Sequence, residues 1–158
     1  MKPTIREARP EDRPALIRLM GVLNEFETTI EDNRADASAA ESHLDWVSGE
    51  IAAQGGVTLV AESGGHVVGF LSFAIEEDPG TFVRPEHRRH AMIWDISVDE
   101  AARGQGIGRA LLDAAEAQAK AAGIGEIRLY VLEGNARARR IYAEAGYRDY
   151  ERLMAKRL

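Results

Sequence analysis

The sequence contains no cysteine. That excludes disulfides, thiolate metal sites and a cysteine nucleophile. It also lacks any apolar run near the roughly 18 residues that a membrane span requires. Residues 1–10 lack the apolar stretch of a secretion signal, so a cytoplasmic location is the expectation. Positive charge is scarce as well. Twenty Lys and Arg against 26 Asp and Glu leave a formal net charge of −6. Bulk attraction to nucleic acid is therefore not expected, and neither a nucleic acid nor a membrane is expected as a partner. What is present is a globular composition, 45% hydrophobic and 29% charged, on 158 residues. That length suits one domain with one core, spanning residues 1–158. Arginines cluster locally at Arg84–Arg89 and Arg137–Arg140, and such clusters on an acidic chain fit a small anionic ligand better than a polymer.

The pattern of apolar residues gives an element order. Thr4–Ala8 reads as a strand, and Arg9-Pro10-Glu11-Asp12 as a turn leading into a helix. Leu16, Leu19, Met20 and Leu23 recur at i, i+3, i+4 and i+7, which is an amphipathic helix. Asn24–Asp36 is polar and acidic and reads as a loop. A second helix covers Ala37–Gln54, with Leu44, Val47 and Ile51 on one face, and Gly55-Gly56 ends it. Val57–Ala61 and Val67–Ile75 are strands joined at Ser63-Gly64-Gly65. Glu76–His90 is a charged loop, and Ala91–Val98 is a strand. A glycine-rich turn, a long helix over Arg109–Ala122, a strand over Ile127–Leu132 and a helix over Asn135–Ala145 follow. Tyr147–Leu158 is expected to hold at least one extended strand. Early antiparallel strands followed by a strand–helix–strand crossover imply one mixed α/β sheet with a parallel pair.

The turn Arg103-Gly104-Gln105-Gly106-Ile107-Gly108 carries the most information. Glycines between a strand and a helix let the backbone approach a ligand closely. The first helical turn adds unpaired N–H groups and the positive end of a dipole, so the junction is suited to a pyrophosphate. Two familiar nucleotide loops fit poorly. No G-x-x-x-x-G-K-[ST] is present. The dinucleotide pattern G-x-G-x-x-G is met at Gly104 and Gly106 but fails at Arg109, where a third glycine allows close helix–strand packing. The pattern R-x-x-G-x-G is met in full by Arg103, Gly106 and Gly108.

A second pattern follows the next strand: Asn135-x-x-Ala138-x-x-x-Tyr142-x-x-x-Gly146-Tyr147. Asn135 can cap the helix behind it, and Tyr142 lies seven residues on, near the same line along that helix. The two patterns, in this order and with a strand between them, resemble the GCN5-related N-acetyltransferase (GNAT) superfamily over about Ala91–Arg157. Tyr147 stands where the superfamily usually has phenylalanine. The resemblance implies a splayed parallel strand pair with the pantetheine arm of coenzyme A in the gap, and helices on both faces of the sheet.

The resemblance also implies site roles. Ile96 and Val98 would offer backbone groups to the cofactor arm, and an N–H near Val98 could polarise the thioester carbonyl. Backbone N–H groups from Gly104 and Gln105 through Gly106, Gly108 and Arg109 would hold the pyrophosphate, with charge from Arg103. Asn135 would contact pantetheine from the other side, and Arg139 would meet the phosphate end. The implied reaction moves an acetyl group from acetyl-CoA to a primary amine by direct attack in a ternary complex. No metal is expected.

The chemistry asks for an acid and a base. A lysine-like amine has a pKa of about 10.4 and must lose a proton to attack. The departing thiol has a pKa of about 8.5 and a phenol about 10, so Tyr142 is the candidate acid. Asp95 is the candidate base. Strand alternation places Asp95, Ser97 and Asp99 on one face and Trp94, Ile96 and Val98 on the other. A carboxylate pocketed beside Trp94 can have a raised pKa. The alternatives are a strand-edge carboxylate paired to an arginine, and a water chain serving as base. Glu76, His87 and His90 are outside candidates. For the acceptor, a small-molecule or peptide amine, two cues conflict. The acidic group Glu25, Phe26, Glu27, Glu31 and Asp32 suits a cation, whereas the basic Pro79–His90 loop suits an acid. A non-catalytic acyl-CoA-binding or sensing domain on the same fold is the alternative function. A homodimer paired through C-terminal strands is expected from the resemblance.

Overall fold

The computed structural model describes residues 2–158. Five strands form one sheet in the order β1-β2-β3-β4-β5. They are β1 (Thr4–Glu7), β2 (Val57–Ser63), β3 (His66–Glu77), β4 (Arg89–Val98) and β5 (Ile127–Leu129). Neighbours are antiparallel from β1 to β4, and β4 and β5 are parallel. The expected mixed sheet is therefore the observed one. Among the described residues the α-helices are α1 (Arg13–Thr28), α2 (Ala40–Ala53), a single turn α3 (Pro85–Arg88), α4 (Ile107–Ala121) and α5 (Ala136–Glu144), with short 3-10 turns at Pro10–Asp12, Ala37–Ala39 and Glu100–Ala102.

Two cores form because the sheet buries both faces. On one face, Leu16, Leu19 and Met20 of α1 and Leu44, Val47 and Ile51 of α2 pack on Val60, Phe70 and Ala74. On the other, Ile107, Leu111, Leu112, Ala115 and Ala119 of α4 pack on Leu59, Leu71, Phe73, Ala91 and Ile93. The spacing of the α4 residues is a helical stripe, and Leu111 and Leu112 are fully enclosed. Truncating either to alanine costs about 2–5 kcal/mol by the usual cavity argument. α5 lays Ile141, Tyr142 and Ala145 on the α4 side. Between α2 and β2 the chain passes close under β3 at Gly56, where a Cβ atom would meet the Phe73 carbonyl oxygen at 2.1 Å. Only glycine fits that approach.

Several expected boundaries shift. The Asn24–Asp36 loop is helical as far as Thr28, because Leu23 and Phe26 extend the apolar stripe of α1 over the cleft described below. The Glu76–His90 loop is shorter than expected. β3 runs to Glu77 and β4 begins at Arg89, pairing Glu76 with His90 and Glu77 with Arg89, and α3 fills part of the gap. β5 ends at Leu129 rather than Leu132. Tyr147–Leu158 holds no strand and is mostly exposed, with Leu153 and Met154 in solvent. That segment is rich in charge and has no alternating apolar face to bury, so nothing drives it into the sheet.

The alternation expected along β4 holds for Asp95 and Ser97 against Ile96 and Val98 but breaks at Trp94, and the reason is local. Ser72 of β3 faces Asp95 while Phe73 faces Ile93, so Trp94 is an extra residue in the ladder. Such a bulge puts two successive side chains on one face. Trp94 packs with the α1–α2 core, whereas Ile96 and Val98 pack with the α4 core. Ser97 returns to the α1 side, where its hydroxyl donates to the Leu19 carbonyl at 2.9 Å.

Candidate active site

β4 and β5 are paired only from Ala91–Ile127 to Ile93–Leu129. Past Ile93 they part, and a cleft of about 180 Å³ opens between them. Trp94, Asp95, Ile96 and Val98 line one wall, and Leu129, Tyr130, Val131 and Leu132 the other. α1 closes one end with Leu23, Phe26 and Glu27, and α5 another with Arg137, Ala138, Ile141 and Tyr142. Arg103, Gly108 and Asn135 also line it.

The glycine turn is built as an anion cradle requires. Gly104 and Gly106 have φ values of 76° and 77°. A side chain there would cost about 1–2 kcal/mol of backbone strain. Gly106 caps α4 without any side-chain hydrogen bond. The amides of Ile107, Gly108 and Arg109 fall in the first helical turn, where no intrahelical acceptor exists. Their partial positive charge, about half an elementary charge in sum, faces the end of the cleft at Gly108. A diphosphate fits these donors.

The remaining candidates fall into place unevenly. Arg103 folds back so that its Nε donates to the Val98 carbonyl at 3.2 Å, which leaves the rest of the guanidinium for a ligand. Gly104, Gln105, Gly106 and Arg109 adjoin the cleft through the loop rather than lining it. The Gln105 amide donates to Ala101 O at 3.4 Å, and the Arg109 side chain pairs with Asp113 at 2.7 Å. Asn135 accepts from the Ala138 N–H at 3.1 Å, so it caps α5 as expected and still faces the cleft. Arg139 is turned to Glu133 at 3.3 Å. Arg137, from the same cluster, lines the cleft instead.

Asp95 and Tyr142 share the cleft wall. Burial pushes the Asp95 carboxyl up to about 6, His43 opposes the rise and Glu27 adds to it. The alternative pairing with an arginine is not what the structure shows, since the ionic partner of Asp95 is His43 at 4.0 Å. Burial also pushes the Tyr142 phenol up to about 12, helped by the charges of Glu27 and Asp95. Its ring packs on Tyr147, 5.9 Å between centroids. Tyr142 therefore keeps its proton across the physiological range.

Two of the outside candidates are engaged elsewhere, and the third, His87, is exposed on α3 and does not line the cleft. Glu76 accepts from the Trp94 indole N–H at 2.8 Å, and His90 is buried with Nδ1 donating to the Arg88 carbonyl at 2.9 Å. Within the acidic group, Asp32 pairs with Arg157 and Glu25 accepts from the Ala37 amide at 3.2 Å. Only Phe26 and Glu27 reach the cleft. Two residues escaped the sequence reading: Asn24, assigned to a loop, and His43, on the rim of the buried face of α2. Their spacing from Met20 and Val47, one helical turn each, was the available signal.

A family model described as the acetyltransferase (GNAT) family matches residues 19–147. The chain belongs to that family. It is 35% identical over 124 residues to a mycothiol acetyltransferase of Amycolatopsis mediterranei, covering 78% of this chain and 36% of that protein. It is 33% identical over 75 residues to an uncharacterized N-acetyltransferase of Bacillus subtilis, covering 47% and 48%. The chain thus spans half or less of the length of these relatives. Among solved structures, a GCN5-related N-acetyltransferase from Ralstonia eutropha superposes with a TM-score of 0.75 at 23% identity, covering 99% of this chain and 98% of that one. Glucosamine-6-phosphate N-acetyltransferase from Arabidopsis thaliana superposes with a TM-score of 0.72 at 22% identity, covering 99% of each chain. These two share the fold. Among the described residues no helix is long and apolar enough to cross a membrane.

Proposed function

We propose that the protein transfers an acetyl group from acetyl-CoA to a primary amine by direct attack, within one domain formed by residues 1–158. One observation carries this reading: the same cleft reaches from the first turn of α4 at Gly108 to Asp95 and Tyr142. Anion donors and an acid–base pair thus serve one space. Acetyl-CoA, when bound, supplies an acyl carbon activated by a thiol leaving group.

The chain's own residues do the rest. The α4 amides and Arg103 hold the diphosphate, while Asn135 and the parted edge of β4 at Ile96 and Val98 position the arm. Asp95 takes a proton from the acceptor ammonium. At about 6 it is ionised near neutral pH yet more basic than an ordinary carboxylate. Tyr142 donates a hydrogen bond to the departing sulfur. Full proton transfer from a phenol near 12 to a thiolate near 8.5 is uphill, so the contribution is a stabilising hydrogen bond as negative charge develops. Glu27 and Asp95 make the acceptor end anionic, which favours an amine arriving as a cation. The mycothiol acetyltransferases among the relatives are consistent with a small-molecule acceptor.

A thiol-release assay with acetyl-CoA across polyamines, aminoglycosides, amino acids and peptides tests the proposal. Turnover with at least one amine is expected. Tight CoA binding with no turnover on any of them would favour the sensing alternative instead. The homodimer stands as a separate proposal, and a monomer by light scattering at micromolar concentration would dismiss it.

A further inference from the structure

We propose that Asp95 and His43, the latter oriented by Asn24, form a relay that carries the acceptor's proton out of the cleft to solvent. The inference rests on the acetyl-transfer reading above. A base that accepts a proton once per turnover must also lose it, and Asp95 is poorly placed to do so directly. Its side chain is only 10% exposed, and it opens on the cleft that substrates fill. Behind it stands His43, which does not line the cleft and whose side chain is 32% exposed.

The geometry fixes the direction of the imidazole. The Asn24 amide nitrogen donates to the Asp36 carbonyl at 3.5 Å, so the amide oxygen faces His43. That oxygen lies 2.9 Å from His43 Nδ1. It can only accept, so Nδ1 carries the hydrogen in the neutral ring. Nε2 is then the free base, and it points at Asp95 Oδ1 from 4.0 Å. The gap is about 1 Å longer than a hydrogen bond, the looseness expected of catalytic contacts before substrate binds. Asn24 is itself buried on α1, so the tautomer is held from within the core.

The charged surroundings come from three helices. Glu27 of α1 and His43 of α2 act on Asp95 in opposite senses, and Tyr142 of α5 feels the Asp95 charge. β3 places Ser72, which does not titrate, opposite Asp95. In the first step an N–H bond of the acceptor ammonium breaks and an O–H bond forms on Asp95, leaving a neutral amine. In the second, that O–H bond breaks and an N–H bond forms at His43 Nε2. Asp95 is again a carboxylate, and the imidazolium has Asn24 Oδ1 facing Nδ1 and Asp95 Oδ1 facing Nε2. In the third, the Nε2–H bond breaks and the proton passes to a solvent water or buffer base at the exposed edge of the ring, which restores the neutral Nδ1–H imidazole. His43 acts through Asp95 and is a positioning and relay residue.

The test uses two variants and a buffer series on the full chain. His43→Ala removes the relay, and His43→Gln keeps a donor for Asn24 but cannot take a proton. Both are expected to lose about tenfold or more in kcat at saturating substrates, with kcat/KM much less affected and acetyl-CoA Kd unchanged. Turnover by His43→Ala should rise with added imidazole, while wild type should not respond. Full activity in His43→Gln would show a merely structural role and overturn the relay. So would wild-type rates in His43→Ala, or a loss that no buffer base relieves. An inactive wild type on every amine would instead overturn the acetyl-transfer reading, and the relay with it.

Discussion

Replacing Asp95 by asparagine should make the protein more stable and less active, and the size of the gain should depend on pH. The side chain is nearly isosteric, so the substitution removes the charge with little change in packing. Burial raises the carboxyl from 3.8 to about 6 in the folded chain. A group raised on folding favours the native state only while it is protonated. Its stabilising contribution is fully present below about 3.8 and is lost as pH rises to about 6. A tenfold change in proton affinity corresponds to about 1.4 kcal/mol, so the ionised carboxylate costs the wild type up to about 3 kcal/mol above pH 6. For a chain of this length 1 kcal/mol moves Tm by about 2–4 °C. Thermal melts of both proteins from pH 4 to pH 8 provide the assay. The Tm difference should be near zero at pH 4, open between pH 4 and 6 and level off at several degrees. Thiol release by the variant should fall by about a hundredfold or more. A Tm difference that is flat with pH, or a variant less stable at pH 8, would refute the claim that burial dominates this carboxyl.

Three further outcomes follow from other parts of the molecule. Tyr142→Phe should lower kcat by about a hundredfold while leaving acetyl-CoA affinity by calorimetry within a factor of two, because only the hydroxyl is lost. Asp12→Asn should cost about 2–4 kcal/mol in urea denaturation, since Arg6 donates to both carboxylate oxygens, at 2.7 and 3.0 Å, and would be left half-paired. Arg6 holds Asp12 below the ordinary carboxylate value. The stability it adds is present above about pH 3.8 and fades as pH falls through that lowered value, so the deficit should shrink in acid. Gly56→Ala should destabilise by more than about 3 kcal/mol, since the new methyl carbon would overlap the Phe73 carbonyl, the kind of backbone clash behind the largest single-residue losses.

How much could be read from sequence varied with the range of the interaction. The turn at Arg103–Gly108 and the cap at Asn135 were legible because each is a local device with its own residue requirements. The amphipathic stripes of α1, α2 and α4 were legible for the same reason. The C-terminal half of α1 was not, because Asn24, Glu25 and Glu27 look like loop residues until Leu23 and Phe26 are seen to cover the cleft. The bulge at Trp94 was also hidden, since it depends on how β3 pairs with β4 and not on β4 alone. His43 was invisible for a further reason. Its significance is a distance to Asp95, 52 positions away in the chain, and nothing around either residue announces the other. The strand expected after Tyr147 does not form, because the charged sequence there offers no apolar face to pair and bury.

The single surplus residue in β4 works as a phase shifter. Upstream of it the strand is interior from His90 to Ile93, and downstream it lines the cleft, with the two stretches half a repeat out of step. Point substitutions around Trp94 should therefore be tolerated by size and polarity in the ordinary way, whereas losing or gaining one residue there would swap the carboxylate to the α4 side and turn the apolar pair toward α1. Changes in α1 alter only the cleft lining that α1 supplies, whereas a change in the length of β4 alters the phase of everything that follows.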